Sequence, residues 1–104
     1  MEDNMKINIT SRKFKARESL KSFVSDEVNS LLKYNDDILD ADVILSFQNS
    51  KDSIKVAEIT LHIPGQSLNA TDFTDDFEKS VSSTVEKLVR QLKTIKSKRA
   101  TRIK

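Results

Sequence analysis

The 104-residue sequence contains no cysteine, no tryptophan, one histidine, one glycine and one proline. The absence of cysteine excludes a disulfide framework, thiolate catalysis and zinc fingers. A single glycine excludes a glycine-rich phosphate loop and a flexible glycine linker. One histidine, His62, is too few for a histidine metal cluster, and we interpret it as a surface residue. No serine lies in a nucleophile motif beside a base, so we predict no catalytic residues, metal, cofactor or small-molecule substrate.

Long apolar runs are also missing. None approaches the roughly 20 residues needed to span a bilayer. Residues 1–4 lack the basic and then apolar pattern of a signal peptide. We therefore expect a cytoplasmic protein with no membrane partner. With 37% hydrophobic residues in 104 positions, the chain suits one domain with a modest core.

The net charge of +2 conceals a strong asymmetry along the chain. Residues 1–50 carry seven Lys or Arg and nine Asp or Glu, and residues 51–86 carry three and seven. Residues 87–104 carry eight Lys or Arg and no acid. A basic block at one end of a mildly acidic domain is typical of a polyanion partner or a disordered arm.

Alternating apolar and polar residues predict four strands, at residues 5–10, 38–49, 54–63 and 66–73. Apolar residues at helical spacing predict a first helix over residues 16–34. A second helix follows Thr74, which we interpret as its N-cap, and its apolar pattern holds to Ile95. The residues beyond have too little apolar material to be held on a core. We predict one domain at residues 1–98 and a frayed basic tail at 99–104.

The order β-α-β-β-β-α places the chain in the α+β class. The first helix is long enough to cross over between two parallel strands, and the other strands form an antiparallel meander. The sheet has one apolar face, and each helix has one apolar stripe. These features predict a two-layer sandwich in which a four-stranded mixed sheet carries both helices on one face.

A polar and mostly basic stripe follows the second helix on the side roughly opposite its apolar residues. The stripe consists of Lys79, Ser83, Lys87, Arg90, Thr94 and Lys98. Further basic residues broaden this surface or lie on the first helix, namely Lys93, Lys96, Arg99 and Arg102, and Arg17, Lys21 and Lys33. Cations about one helical turn apart can follow a phosphate backbone. Double-stranded or folded RNA is read largely by shape, so the 6% of aromatic residues is no obstacle.

The basic stripe has three interpretations at this point: a nucleic-acid surface, an ordinary solvated helix face, or a contact for an acidic protein. Eight cations within residues 87–104 without one acid favour nucleic acid over an ordinary solvated face. A general RNA-binding module acting on another structured RNA is the alternative function that we retain.

The sequence resembles the ribosome hibernation-promoting factor and ribosome-associated inhibitor family over residues 5–98. Residues 5–10 resemble the family's first strand, and residues 56–61 its third. The most specific match is the segment Glu86-Lys87-Leu88-Val89-Arg90-Gln91-Leu92-Lys93, a basic stretch within the second helix. The resemblance implies a fold like that of double-stranded-RNA-binding domains.

The resemblance also implies a partner and a mode of action. Family members bind rRNA of the small ribosomal subunit, in the channel for mRNA and for the A- and P-site tRNAs, and silence translation in starved or stationary cells. We expect a short form without an extra dimerising domain, monomeric off the ribosome. The predicted rRNA-binding residues are Lys87, Arg90, Gln91, Lys93, Lys96, Lys98, Lys79, Lys33, Arg17 and Lys21.

Overall fold

The secondary structure follows the predicted order. A computed structural model describes the backbone of residues 5–48 and 51–102, and the side chains of residues 5–48 and 54–95. The elements are β1 (Lys6–Ser11), α1 (Glu18–Asn29), β2 (Asp40–Gln48), β3 (Lys51–Ile63), β4 (Gln66–Thr74) and α2 (Phe77–Arg102). A short 3-10 helix, Ser30–Lys33, extends α1. The α+β class is confirmed.

The sheet has the predicted mixed topology, with the strands in the order β1-β2-β3-β4. β1 runs parallel to β2, with Ile9 opposite Val43. β2, β3 and β4 form an antiparallel meander, in which Val43 lies opposite Ile59 and Ile59 opposite Ala70. α1 is therefore the crossover between the two parallel strands. β4 pairs with β3 on one side and is an edge strand of the described sheet.

The core lies between one face of the sheet and both helices. Leu45, Ile59 and Leu61 point from the sheet and have no exposed surface, because alternate residues of a strand share a face. Val28 of α1 and Leu88 of α2 close the layer from the other side, equally buried. The opposite face of the sheet is mostly polar, although Ile44, Val56 and Phe73 also lie on it and Phe73 is 59% exposed. These facts confirm the two-layer arrangement with both helices on one face.

An aromatic cluster covers the end of the sandwich where α2 begins. The ring of Phe14 stacks on Phe77 with 4.9 Å between centroids and meets Phe47 edge-on at 5.3 Å. Phe47 and Phe77 lie 5.5 Å apart. Phe14 belongs to the connection between β1 and α1, so the cluster ties that connection to the second helix. Aromatic pairs in such geometries contribute about 0.5–1.5 kcal/mol beyond their area burial.

The start of α2 corrects the predicted N-cap. The helix begins at Phe77, and the carboxylate Oδ2 of Asp76 accepts the backbone N–H of Lys79 at 3.1 Å. Thr74 lies two residues before Asp76. Its Oγ1 accepts the N–H of Asp76 at 3.0 Å and donates to the carbonyl oxygen of Asp76 at 2.7 Å. Thr74 therefore shapes the turn that leads into the helix, and Asp76 caps it. The prediction of Thr74 as the N-cap was wrong, because both residue types suit the position and sequence alone does not choose between them.

Replacing Asp76 by alanine is expected to lower the free energy of unfolding by about 1 kcal/mol, since the N–H of Lys79 loses its acceptor. Asp75→Ala is the matched control, because the exposed carboxylate of Asp75 reaches only the ammonium of Lys79, at 3.7 Å. Chemical denaturation followed by circular dichroism measures both. Equal losses in the two variants would contradict the assignment of Asp76 as the cap.

The C-terminal part of α2 bears on the predicted domain boundary. The backbone is helical to Arg102, and the last described side chain of this helix is that of Ile95. The division into a domain at residues 1–98 and a tail at 99–104 stays a prediction.

Candidate nucleic-acid interface

The outer surface of α2 carries the predicted basic stripe, because the opposite side of the helix is pinned to the sheet. Val81, Leu88 and Leu92 are at most 2% exposed. Their spacing turns Lys79, Arg90 and Lys93 to the exposed side. The side chains of Lys96 and Lys98 lie outside the described residues.

Two of the predicted rRNA-binding residues, Lys87 of the stripe and the nearby Gln91, bend onto the edge strand β4. Lys87 Nζ donates to the backbone carbonyl of Thr71 at 2.9 Å and lies 3.7 Å from Oδ2 of Asp72. Gln91 Nε2 donates to the carbonyl of Asn69 at 3.0 Å. These bonds satisfy backbone acceptors on an edge strand, which protects such an edge from pairing with another chain. The sequence predicted both residues as rRNA contacts, which stays a prediction, and it did not indicate these bonds to β4.

Asp72 links β4 to the same stretch of α2. Its carboxylate accepts a short hydrogen bond from Ser83 Oγ, and its Oδ1 accepts the N–H of Phe73 at 2.9 Å. The Ser83 hydroxyl, the Phe73 N–H and the nearby Lys87 ammonium hold the pKa of Asp72 below its ordinary value, against an opposing effect of burial. Asp72 is therefore ionised at neutral pH, next to the basic stripe.

Two exposed cations, Arg90 and Lys93, lie in the described part of the C-terminal half of α2. Arg90 is exposed, and its backbone carbonyl accepts a bond from Thr94 Oγ1 at 3.0 Å. Lys93 Nζ lies 5.8 Å from the ring centroid of Tyr34, a cation–π contact that connects α2 to the segment after α1. Lys33 lines a shallow depression between that segment and α2, together with Tyr34, Leu92 and others. In residues 5–48 and 54–95, none of Arg90, Lys93 and Lys33 forms an ion pair.

The remaining predicted contacts lie near the other end of the helix pair. Arg17 is exposed immediately before α1. Lys21 Nζ lies 4.0 Å from Oε2 of Glu18, and Lys79 Nζ lies 3.7 Å from Asp75. Because Lys21 and Lys79 each have a carboxylate neighbour, less of their charge is available to a polyanion than at Arg90 or Lys93. Among the described residues, Lys21 and Lys79 therefore have a carboxylate partner, whereas Arg17 has none. Arg17 resembles Arg90 and Lys93 in this respect.

A second polar cluster, which the sequence did not indicate, lies on the opposite face of the sheet. His62 Nδ1 makes a short hydrogen bond with Oδ1 of Asp40, its cross-strand partner. One ligand atom from each of Asp40, Asp42 and His62 lies within 4.8 Å of the others. Asn8 Nδ2 donates to Asp42 Oδ1 at 3.0 Å. His62 is half-buried, so its interpretation as a plain surface residue was incomplete.

None of the described helices is both long and apolar enough to cross a bilayer.

Solved structures of other proteins share this fold. A ribosomal subunit interface protein from Coxiella burnetii superposes with a TM-score of 0.81 at 22% identity, covering 89% of this chain and 99% of that one. The N-terminal domain of Thermus thermophilus Protein Y gives 0.74 at 24% identity, covering 88% and 98%. At these identities the comparison defines the fold class: the β-α-β-β-β-α sandwich of ribosomal subunit interface proteins.

The family follows from the sequence match. The model of the Sigma 54 modulation protein / S30EA ribosomal protein family matches residues 7–100, and the chain belongs to this family. The ribosome hibernation promoting factor of Escherichia coli is 29% identical over 94 residues, covering 90% of this chain and 96% of the relative. The factor of the same name from Azotobacter vinelandii is 28% identical over 88 residues, covering 85% and 79%. The resemblance stated from the sequence is confirmed.

Proposed function

We propose that this protein is a ribosome hibernation factor that binds rRNA in the mRNA and tRNA channel of the small ribosomal subunit. Bound there, it silences translation under stress or in stationary phase. It acts by occupying the channel and catalyses no reaction. It works in the cytoplasm and is a monomer when off the ribosome.

The observation that carries the proposal is the exposed cationic surface of α2 on a chain of this family. Arg90 and Lys93 are exposed and have no carboxylate partner among the described residues, and Lys33 joins them from the segment after α1. A rigid helix holds these charges at fixed spacings, and phosphates repeat along an RNA backbone. Contacts to phosphates position a protein without reading base sequence, which suits recognition of folded rRNA by its shape.

Co-sedimentation tests the proposal. Extracts of growing and starved cultures are separated on sucrose gradients, and the protein is followed across the fractions. We expect it with ribosomal particles in starved cells, and with purified small subunits in a reconstituted mixture. Recovery in the unbound fraction under both conditions would overturn the ribosomal assignment. Binding to assorted structured RNAs but not to small subunits would favour the general RNA-binding module.

Binding is expected to weaken steeply with salt, because neutralised phosphates release condensed counterions. With roughly six phosphates contacted, duplex-derived slopes give a loss on the order of a thousandfold between about 50 and 200 mM salt. Filter binding to small subunits across this range measures the slope. A flat response would contradict a phosphate interface and indicate an apolar protein contact.

A further inference from the structure

Asp72 is the one acid of the described residues that forms an ion pair with the central part of the basic stripe. It lies on β4, and its carboxylate faces Ser83 and Lys87, which are one helical turn apart on α2. Its side chain is 25% exposed, and that of Lys87 is 43% exposed. A carboxylate thus lies within the surface that the proposed function assigns to RNA binding. Lys87 remains exposed enough for a polyanion to reach it.

Asp72 is held in place by bonds that do not depend on Lys87. The Ser83 hydroxyl and the Phe73 N–H both donate to its carboxylate, so its position is fixed from the helix and from its own strand. Lys87, in contrast, has a long, flexible side chain. Its ammonium donates to the carbonyl of Thr71 and forms an ion pair with Asp72. The rigid partner therefore decides where the ammonium of Lys87 lies.

The local arrangement has an electrostatic consequence. A carboxylate 3.7 Å from the ammonium cancels most of its field at longer range, and it repels an approaching phosphate by itself. A phosphate that approaches Lys87 must compete with the negative charge of Asp72 for an ammonium that already donates to the Thr71 carbonyl. Arg90, one turn further along, has no such competitor among the described residues.

We propose that Asp72 is a positioning residue that holds Lys87 on the edge of β4 and so withholds its charge from polyanions. The inference deepens the proposed function and rests on it, since Asp72 limits the affinity of the α2 surface for rRNA. An interface limited in this way releases its RNA more readily than its count of basic residues suggests.

Asp72→Asn tests the proposal with little change of shape. Asparagine retains an acceptor for the Phe73 N–H and a polar partner for Ser83, and only the negative charge is lost. We expect the variant to bind small subunits about 3- to 10-fold more tightly near 0.1 M salt. Its affinity should also fall more steeply with salt, by the amount that corresponds to one further phosphate contact. Unchanged or weaker binding by a variant with native melting would overturn the proposal.

Matched controls separate this local effect from net charge. Glu58→Gln removes the same charge from the opposite face of the sheet, where Glu58 only accepts a bond from Asn69 at 3.2 Å. Its affinity is expected to change less than twofold. Asp72→Ala, which also removes the hydrogen bonds, is a second neutral variant and is expected to tighten binding similarly. If Glu58→Gln tightens binding as much as the Asp72 variants, the effect is one of net charge and the proposal is wrong.

A double-mutant cycle identifies Lys87 as the residue through which Asp72 acts. Lys87→Gln alone is expected to weaken binding only a few-fold, because its charge is already compensated. In the Asp72→Asn background the same change is expected to cost both the gained affinity and this few-fold loss, so that the double variant binds like Lys87→Gln alone. Additive effects in the two backgrounds would mean that Asp72 does not act through Lys87.

A heparin column separates failure of this inference from failure of the proposed function. Heparin is a polyanion that contains no ribosomal component, and the order of elution by salt is expected to be Lys87→Gln, wild type, then Asp72→Asn. A wild-type protein that fails to bind small subunits would refute the ribosomal function. The elution order still decides the role of Asp72, since co-elution of Asp72→Asn with the wild type would refute it.

Discussion

Replacing Lys87, Arg90 and Lys98 together by glutamine is expected to abolish binding to the small ribosomal subunit while leaving the fold intact. Arg90 is exposed and Lys87 half-exposed, and neither contributes to the apolar core. Substitutions at such positions change stability by about 0.5 kcal/mol or less. Loss of Arg90 and Lys98 forfeits about two phosphate contacts, and loss of Lys87, whose charge Asp72 compensates, weakens binding only a few-fold more. Together these losses correspond to roughly a hundredfold or more in affinity near 0.1 M salt.

The measurement pairs thermal melting by circular dichroism with co-sedimentation on purified small subunits. A control of equal charge change is available in Lys6, Arg12 and Lys15, which are exposed on β1 and in the connection that follows it. Their combined replacement by glutamine is expected to weaken binding much less. If the α2 variant melts like the wild type and still binds, the stripe is a solvated helix face and its assignment as the interface is wrong.

Most of the fold could be predicted from the sequence because its strands have one buried face and one solvent-exposed face. The alternation of Ile59 and Leu61 with polar neighbours determines which face meets the helices, and the structure buries both completely. The first helix is long enough to cross over between parallel strands, which predicted the parallel pairing of β1 with β2 that the structure shows. Element ends were less accurate, as at Thr74 and Asp76, since caps depend on a turn geometry that several residues can adopt.

The candidate site was predictable in outline and less so in detail. Helical spacing shows which side of α2 faces outward, because that depends on residues within the same helix. It does not show that Lys87 lies against Thr71 and Asp72, because these contacts cross from α2 to β4. The pairing of His62 with Asp40 could not be predicted from the sequence for the same reason, because strand register brings together residues that are far apart in sequence. Whether the predicted residues contact rRNA stays a prediction.

Leu88→Ala is expected to lower the free energy of unfolding by about 2–5 kcal/mol. Leu88 has no exposed surface and belongs to the core shared by the sheet and both helices. Truncation leaves a cavity, which rigid neighbouring strands can fill only in part. Domains of this size are stable by about 5–15 kcal/mol in total, so the loss removes a large share of the margin.

Urea denaturation measures the effect, with two variants as references. Leu88→Met conserves volume and is expected to cost less than about 1.5 kcal/mol. Val89→Ala alters the next residue, which is only partly buried, and is expected to cost less than Leu88→Ala. A Leu88→Ala protein within about 0.5 kcal/mol of the wild type would show that α2 is not anchored through this residue. The basic surface depends on that anchoring of α2. Under mildly destabilising conditions, Leu88→Ala should therefore lose both ribosome binding and cooperative melting. The triple charge variant should lose ribosome binding alone.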